Sequence, residues 1–266
     1  MFVEGFGPVP VLFNPSGYLS KGGKQYSVEQ ASQFVRSNVA FNGWYSKTME
    51  KFGPAFTSVS ILEIYPFVNE TKPIGFVMVD ATITTTDKNG KIVPVPGAAL
   101  LRGGAVAILT IAVSEKDPNK KFVINTVQAR VGGSDPVYEE IPAGMIDGAS
   151  NFGGVAAKEL MEETGITIKE TELESLGVMY PSIGGCDEFI ALFRIVKKLP
   201  EEEIERLEGM ATGDEHGVIS VRVRTYDDFV NALRTGAITD AKALSAYARH
   251  ILKPVSRSRR TRRSRL

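Results

Sequence analysis

The chain has 266 residues, 43% hydrophobic and 23% charged, an ordinary globular balance that can bury a full core and excludes a fibrous or wholly disordered protein. No apolar run approaches the ~18 residues of a membrane span, and a single cysteine, Cys186, excludes an internal disulfide and fits a reducing compartment. The net charge of zero hides six arginines in residues 257–266; without them 25 basic residues face 31 acidic ones, and about minus six on the body disfavours a nucleic-acid-binding face there.

Residues 1–27 are rich in Gly, Pro and Ser and read as irregular chain, without the basic start and continuous apolar core of a secretory signal. From Ser27 to Gly53 the pattern predicts helix, with Ser27 as its cap and Gly53 as its stop. Two β-rich runs follow, Thr57 to Phe67 and Ile74 to Thr84, and Asp87-Lys88-Asn89-Gly90 reads as a hairpin turn into a strand over 91–95. Strands are expected over 105–113, 121–130, 138–145, 176–180, 189–197 and 217–224, the third running directly into a helix. Glu201 to Glu208, Tyr226 to Thr235 and Asp240 to Leu252 read as helices, with Gly236 between the last two. Mixed strands with interspersed helices imply an α+β or α/β sandwich. The elements up to residue 97 read as an N-terminal helix and sheet region and residues 254–266 as a disordered basic tail, while the domain at 98–253 is set by the extent of a family resemblance carried by the segments below.

The chemistry concentrates between Gly144 and Ile166. Glu159, Glu162 and Glu163 stand at i, i+3 and i+4, so their side chains leave one side of a helix just ahead of the stop Gly165. Like charges at that spacing repel, and a glycine-rich segment, Ile141-Pro142-Ala143-Gly144, leads into them. Carboxylates gathered beside a glycine loop suit a hard divalent cation that stays bound to substrate phosphates. The bland alternative is a solvated helix face. Cys186 has no histidine near it in sequence and reads as a small packed residue. Phe41, Trp44 and Tyr45 read as core, with adenine stacking the alternative, and His216 and His250 read as structural or exposed.

Gly144, Ser150 and the run Lys158-Glu159-Leu160-Met161-Glu162-Glu163-Thr164-Gly165-Ile166 resemble the Nudix box, whose pattern is a glycine, a glutamate and then R-E-U-x-E-E-x-G-U, with U aliphatic. The spacing agrees throughout; Ser150 replaces the first glutamate and Lys158 the arginine, keeping the charge but losing the planar donor fork. Further segments are similar to the ADP-sugar diphosphatase subgroup: Leu101-Arg102-Gly103-Gly104 opening a strand, Gln128-Ala129-Arg130, Glu140-Ile141-Pro142-Ala143-Gly144, the loop Ser182-Ile183-Gly184-Gly185-Cys186-Asp187-Glu188, and Thr239-Asp240-Ala241-Lys242 at a late helix start.

The resemblance implies an α/β fold, a Nudix α/β/α sandwich with a mixed sheet preceded by a small N-terminal β-rich domain. It implies hydrolysis of the diphosphate bond of ADP-ribose or another ADP-sugar to AMP and a sugar phosphate. Mg²⁺, or Mn²⁺ in its place, would be held by Glu159, Glu162, Glu163 and the Ala143 carbonyl. Arg130, Arg102 and Gly185 would contact substrate, and Glu188 would act on the attacking water, with Glu162 and Glu163 counted among the catalytic groups. A homodimer through the N-terminal region is also implied. Two alternatives stay open: a Nudix hydrolase acting on an RNA 5′ end or a nicotinamide dinucleotide, and a catalytically weak binding or scaffold protein. Ser264-Arg265-Leu266 resembles a peroxisomal or glycosomal address, so an import receptor is the expected partner of the tail; otherwise the expectation is cytoplasmic, with no membrane and no nucleic acid.

Overall fold

The computed structural model describes residues 1–3, 5–19, 25–66, 75–146, 148–212 and 218–252. Ser264-Arg265-Leu266 and His216 lie outside them. The chain forms two compact units, each assembled from separated segments. One comprises Met1–Val106, Gly144–Val155 and Val178–Ala191; the other comprises Ala107–Ala143, Ala156–Gly177 and Leu192–Leu266.

The first unit begins with short strands β1 (Phe2–Val3), β2 (Val11–Leu12), β3 (Tyr18–Leu19) and β4 (Gln25–Tyr26). The expected helix from Ser27 is in fact two, α1 (Val28–Ser37) and α2 (Val39–Phe52). Ser27 caps the first in a capping box with Gln30. Asn38 breaks the run by leaving helical geometry and capping the second, its side chain accepting from the Phe41 N–H at 2.8 Å. Gly53 ends α2 at a positive φ of 49°.

Strands β5 (Phe56–Pro66), β6 (Gly75–Thr86) and β7 (Ile92–Leu101) follow, giving a sheet in the order β1-β2-β5-β6-β7. The sheet is mixed: β2 runs parallel to β5, whereas β5–β6 and β6–β7 are antiparallel. The Asp87–Gly90 turn closes as expected, with Asp87 Oδ1 accepting from Asn89 and Lys91. β7 runs through positions 97 and 98, where the resemblance implies a boundary. Phe41, Tyr45, Phe56 and Phe13 form an aromatic core with Trp44 packed against it, and Tyr45 Oη bonds the Val9 backbone. The bulk reading of Phe41 and Tyr45 therefore holds.

The larger sheet takes the order β12-β13-β8-β9-β15-β14, from β8 (Ala105–Ser114), β9 (Lys121–Arg130), β12 (Glu174–Met179), β13 (Ile190–Leu199), β14 (Ala211–Thr212) and β15 (Ile219–Thr225). β8 is buried at every position, which its unbroken apolar run demands. The strand expected over 138–145 is two: β10 (Asp135–Glu140) pairs with β9, and β11 (Ala143–Met145) pairs with β8. Pro142 lacks an N–H and the Ile141 N–H turns instead to Asp240 at 3.2 Å, so the chain leaves one neighbour and joins another. Residues 146–151 then separate β11 from α3 (Phe152–Thr164), so the strand does not run straight into the glutamate helix. Helices α4 (Glu201–Leu207), α5 (Tyr226–Thr235) and α6 (Ala241–Ile251) match expectation, with Gly236 ending α5 in the left-handed region.

Candidate active site

The glutamates leave the last turns of α3, which Gly165 stops by taking a positive φ of 74° while its N–H bonds the Met161 carbonyl at 2.8 Å. One turn offers three different environments. Glu163 is buried, 6% exposed, and its Oε2 accepts from the Ala143 N–H at 3.0 Å. Burial raises its pKa to about 7 despite that hydrogen bond, with the negative charges of Glu159 and Glu140 adding to the rise and Arg130 opposing it. Glu159 is half-buried. Glu162 is exposed and pairs with Lys158 at 3.4 Å, one helical turn back.

Glu140, 2% exposed at the end of β10, anchors a second layer. Its Oε1 accepts from Arg130 Nη2 at 2.6 Å and Nε at 2.7 Å, while its Oε2 accepts from Lys242 Nζ at 2.7 Å. Lys242 also donates to Asp240 Oδ1 at 2.8 Å. Asp240 caps α6 through the N–H groups of Lys242 and Ala243. Burial lowers the Lys242 pKa, but Asp240 and Glu140 outweigh it and leave the ammonium above its ordinary value. The adjacent Glu139 is likewise pulled below the carboxylate range, because two Arg224 bonds at 2.6 Å and the Asn125 amide overcome its burial.

The remaining sequence-derived residues belong to the first unit. Arg102 Nη1 pairs with Glu188 Oε1 at 3.3 Å, and its guanidinium lies 5.4 Å from the Phe76 ring centroid. Asp187 accepts from the Arg102 and Gly103 N–H groups at 2.8 and 3.1 Å. The Gly185 carbonyl accepts from the Leu100 N–H at 2.9 Å, and its own N–H donates to Ser182, so its backbone is spent on the loop. Cys186 bridges to Leu100, and burial raises its thiol pKa. Gly104 is required where it stands: a Cβ there would lie 2.4 Å from the Phe189 ring. A cavity of about 660 Å³ is lined by Trp44, Arg102, Phe152, Tyr180, Asp187 and Phe189. That volume is in the range of small-molecule sites.

Carboxylates and a peptide carbonyl are the donors a hard divalent cation takes. Among the described residues no three His, Cys, Asp or Glu side chains stand gathered as an assembled metal cage. Glu162 turns to Lys158 and Glu140 to Arg130 and Lys242. Glu163 nevertheless fits a cation, because it is a buried carboxylate whose charged form is destabilised by Glu159 and Glu140, and a divalent ion would remove that penalty. Glu140, Asp240 and Lys242 carry no role that the sequence alone assigns. The Lys242–Glu140 bond spans 102 positions and the Ile141–Asp240 bond 99, beyond any local pattern.

A family model for the NUDIX domain matches residues 105–247, more than half of the chain. The chain belongs to the Nudix family. Hydrolases of this family generally use divalent metal ions. A chloroplastic relative from Arabidopsis thaliana, Nudix hydrolase 14, is 35% identical over 167 residues, 58% of this chain and 52% of that protein. The chain thus spans about half the length of that Nudix relative. The ADP-ribose pyrophosphatase of Bacillus subtilis is 30% identical over 145 residues, 54% of this chain and 69% of that one. A solved structure described as an ADP compounds hydrolase is 15% identical, with a TM-score of 0.47 over 73% of this chain and 92% of its own.

Proposed function

We propose that this Nudix protein hydrolyses the diphosphate bond of ADP-ribose or another ADP-sugar in the presence of Mg²⁺. Water adds across the P–O–P linkage, so ADP-ribose gives AMP and ribose 5-phosphate. The observation that carries the reading is Glu163: a carboxylate beside Ala143 whose pKa is raised by burial and then by its acidic neighbours, on the helix whose spacing carries the family motif. The name of the Bacillus subtilis relative, ADP-ribose pyrophosphatase, supports the substrate.

Glu159 and Glu163 would hold the cation, with Glu162 and the Ala143 carbonyl completing the set. When bound, the ion supplies charge neutralisation at the phosphoryl oxygens and a more acidic water. Arg130, held from behind by Glu140, presents the rest of its guanidinium to the diphosphate and steadies charge as the P–O bond breaks. Glu188 orients or deprotonates the attacking water in this reading, and its pairing with Arg102 at 3.3 Å holds its carboxylate in place.

A substrate panel with Mg²⁺, scored for AMP release, tests the proposal. AMP from ADP-ribose but not from capped or triphosphorylated RNA is the expected result; release only from the RNA or from a nicotinamide dinucleotide would replace the substrate. Ser150 and Lys158 favour one rival, a binding protein of weak turnover, which would bind ADP-ribose with Mg²⁺ and leave it intact. Glu188→Gln should lower kcat with little change in metal affinity, and an unchanged kcat would remove Glu188 from the mechanism.

A further inference from the structure

Lys242 is a deeply set cation of the second unit. Its side chain is 16% exposed and it donates to two carboxylates that are themselves almost wholly buried, Glu140 at 2.7 Å and Asp240 at 2.8 Å. Each carboxylate does two jobs. Glu140 uses one oxygen for Lys242 and the other for Arg130. Asp240 uses Oδ1 for Lys242 and Oδ2 for the Ile141 N–H, the point where the chain leaves β10 for β11.

A structural ion pair would need only one carboxylate. Here the ammonium joins the start of α6 to the carboxylate that orients Arg130, taking one Glu140 oxygen and leaving the other for the guanidinium. We infer that Lys242, through Glu140, is a positioning residue for the Arg130 diphosphate contact, with Asp240 fixing Lys242 in turn. The ammonium offsets one of the two buried negative charges, so Glu140 holds Arg130 in place without that guanidinium having to neutralise both carboxylates. Arg130, with 43% of its side chain exposed, keeps donors for a ligand. This inference rests on the reading of Arg130 as the diphosphate contact.

A double-mutant cycle on the full chain decides it, using Lys242→Met, Arg130→Lys and the combined variant with ADP-ribose and Mg²⁺. Lys242→Met is expected to lower kcat/KM about tenfold, since a displaced Arg130 both holds the diphosphate less tightly and steadies less charge as the P–O bond breaks. In the Arg130→Lys background the same substitution should add less than about twofold. Effects that multiply in full would overturn the inference, since Lys242 would then act by a route independent of Arg130. Where Lys242→Met does not fold, Glu140→Gln replaces it in the same cycle, with the same non-additivity expected.

A readout without substrate separates the two readings. The ¹⁵N resonance of the Arg130 Nε–H, which donates to Glu140 at 2.7 Å, should shift and exchange faster in Lys242→Met or Glu140→Gln. An unmoved resonance in Lys242→Met would overturn the positioning role. A resonance that moves as expected in a protein inert toward ADP-ribose would support the positioning of Arg130 and overturn the substrate reading alone.

Discussion

At the scale of single residues, Glu163 carries opposite demands. Its burial makes ionisation costly, yet the proposed function needs it ionised. In the metal-free protein its pKa of about 7 lies above the ordinary 4.5, so the folded state binds this proton more tightly than the unfolded chain. The stabilisation from that proton is complete below pH 4.5 and is lost as pH rises through 7, a swing of about 3 kcal/mol. Glu163→Gln should abolish this part of the pH dependence: urea unfolding in EDTA at pH 5 and pH 8 should give a smaller difference for the variant than for the parent. Identical slopes would mean that Glu163 titrates normally. The same variant should lose two or more orders of magnitude in kcat/KM with Mg²⁺, an order-of-magnitude expectation for removing a ligand of a catalytic metal. Full turnover by Glu163→Gln would remove the residue from the chemistry.

At the scale of elements, helix α6 begins with a residue asked to do more than cap. Asp240 accepts from Lys242 N–H, Ala243 N–H, Ile141 N–H and the Lys242 ammonium while 2% exposed. Asp240→Ala removes a cap and strands a buried ammonium against one carboxylate. The expected loss is about 3–5 kcal/mol of unfolding free energy by denaturant titration, well beyond the ~1 kcal/mol of an exposed cap. A loss near 1 kcal/mol would show that solvent replaces the ion pair.

Much at this scale was legible in the sequence. Periodicity placed β9 and α5 to the residue and most other strands to within one or two, because alternation and turn residues are local signals. It failed at Asn38, whose capping turn looks helical in composition, and at Pro142, where one apolar run serves two neighbours. The glutamate spacing on α3 was readable, but the different burial of Glu159, Glu162 and Glu163 was not. Burial of Glu163 depends on what packs on that turn, whereas the exposed Glu162–Lys158 pair follows from i,i+4 helical spacing alone. The Glu140–Lys242 contact spans 102 positions and leaves no trace in local pattern.

At the scale of the whole molecule, each compact unit draws on separated stretches of chain. The first unit completes itself with residues 144–155 and 178–191, which arrive long after β7. Its last segment is pinned by them: Leu100 N–H to Gly185, Ala105 N–H to Phe189, the Gly104 carbonyl from Ile146, and Arg102 and Gly103 N–H to Asp187. A fragment of residues 1–106 would leave all of these groups without partners. It should therefore lack a cooperative thermal transition by near-ultraviolet circular dichroism; a sharp transition would show that the later segments are dispensable.

The lone thiol gives this arrangement a reporter. Cys186 is held against Leu100 in a backbone bridge, its N–H donates to the Ser182 carbonyl at 2.9 Å, and no second cysteine competes for a reagent. A maleimide added to the unmodified protein therefore reports on one half-buried site, where the loop before Glu188 meets the end of β7. Its alkylation rate, divided by that of the unfolded chain, measures how far this packing shields the thiol. Ligand-induced slowing of that rate would report tighter packing of the loop without an introduced residue.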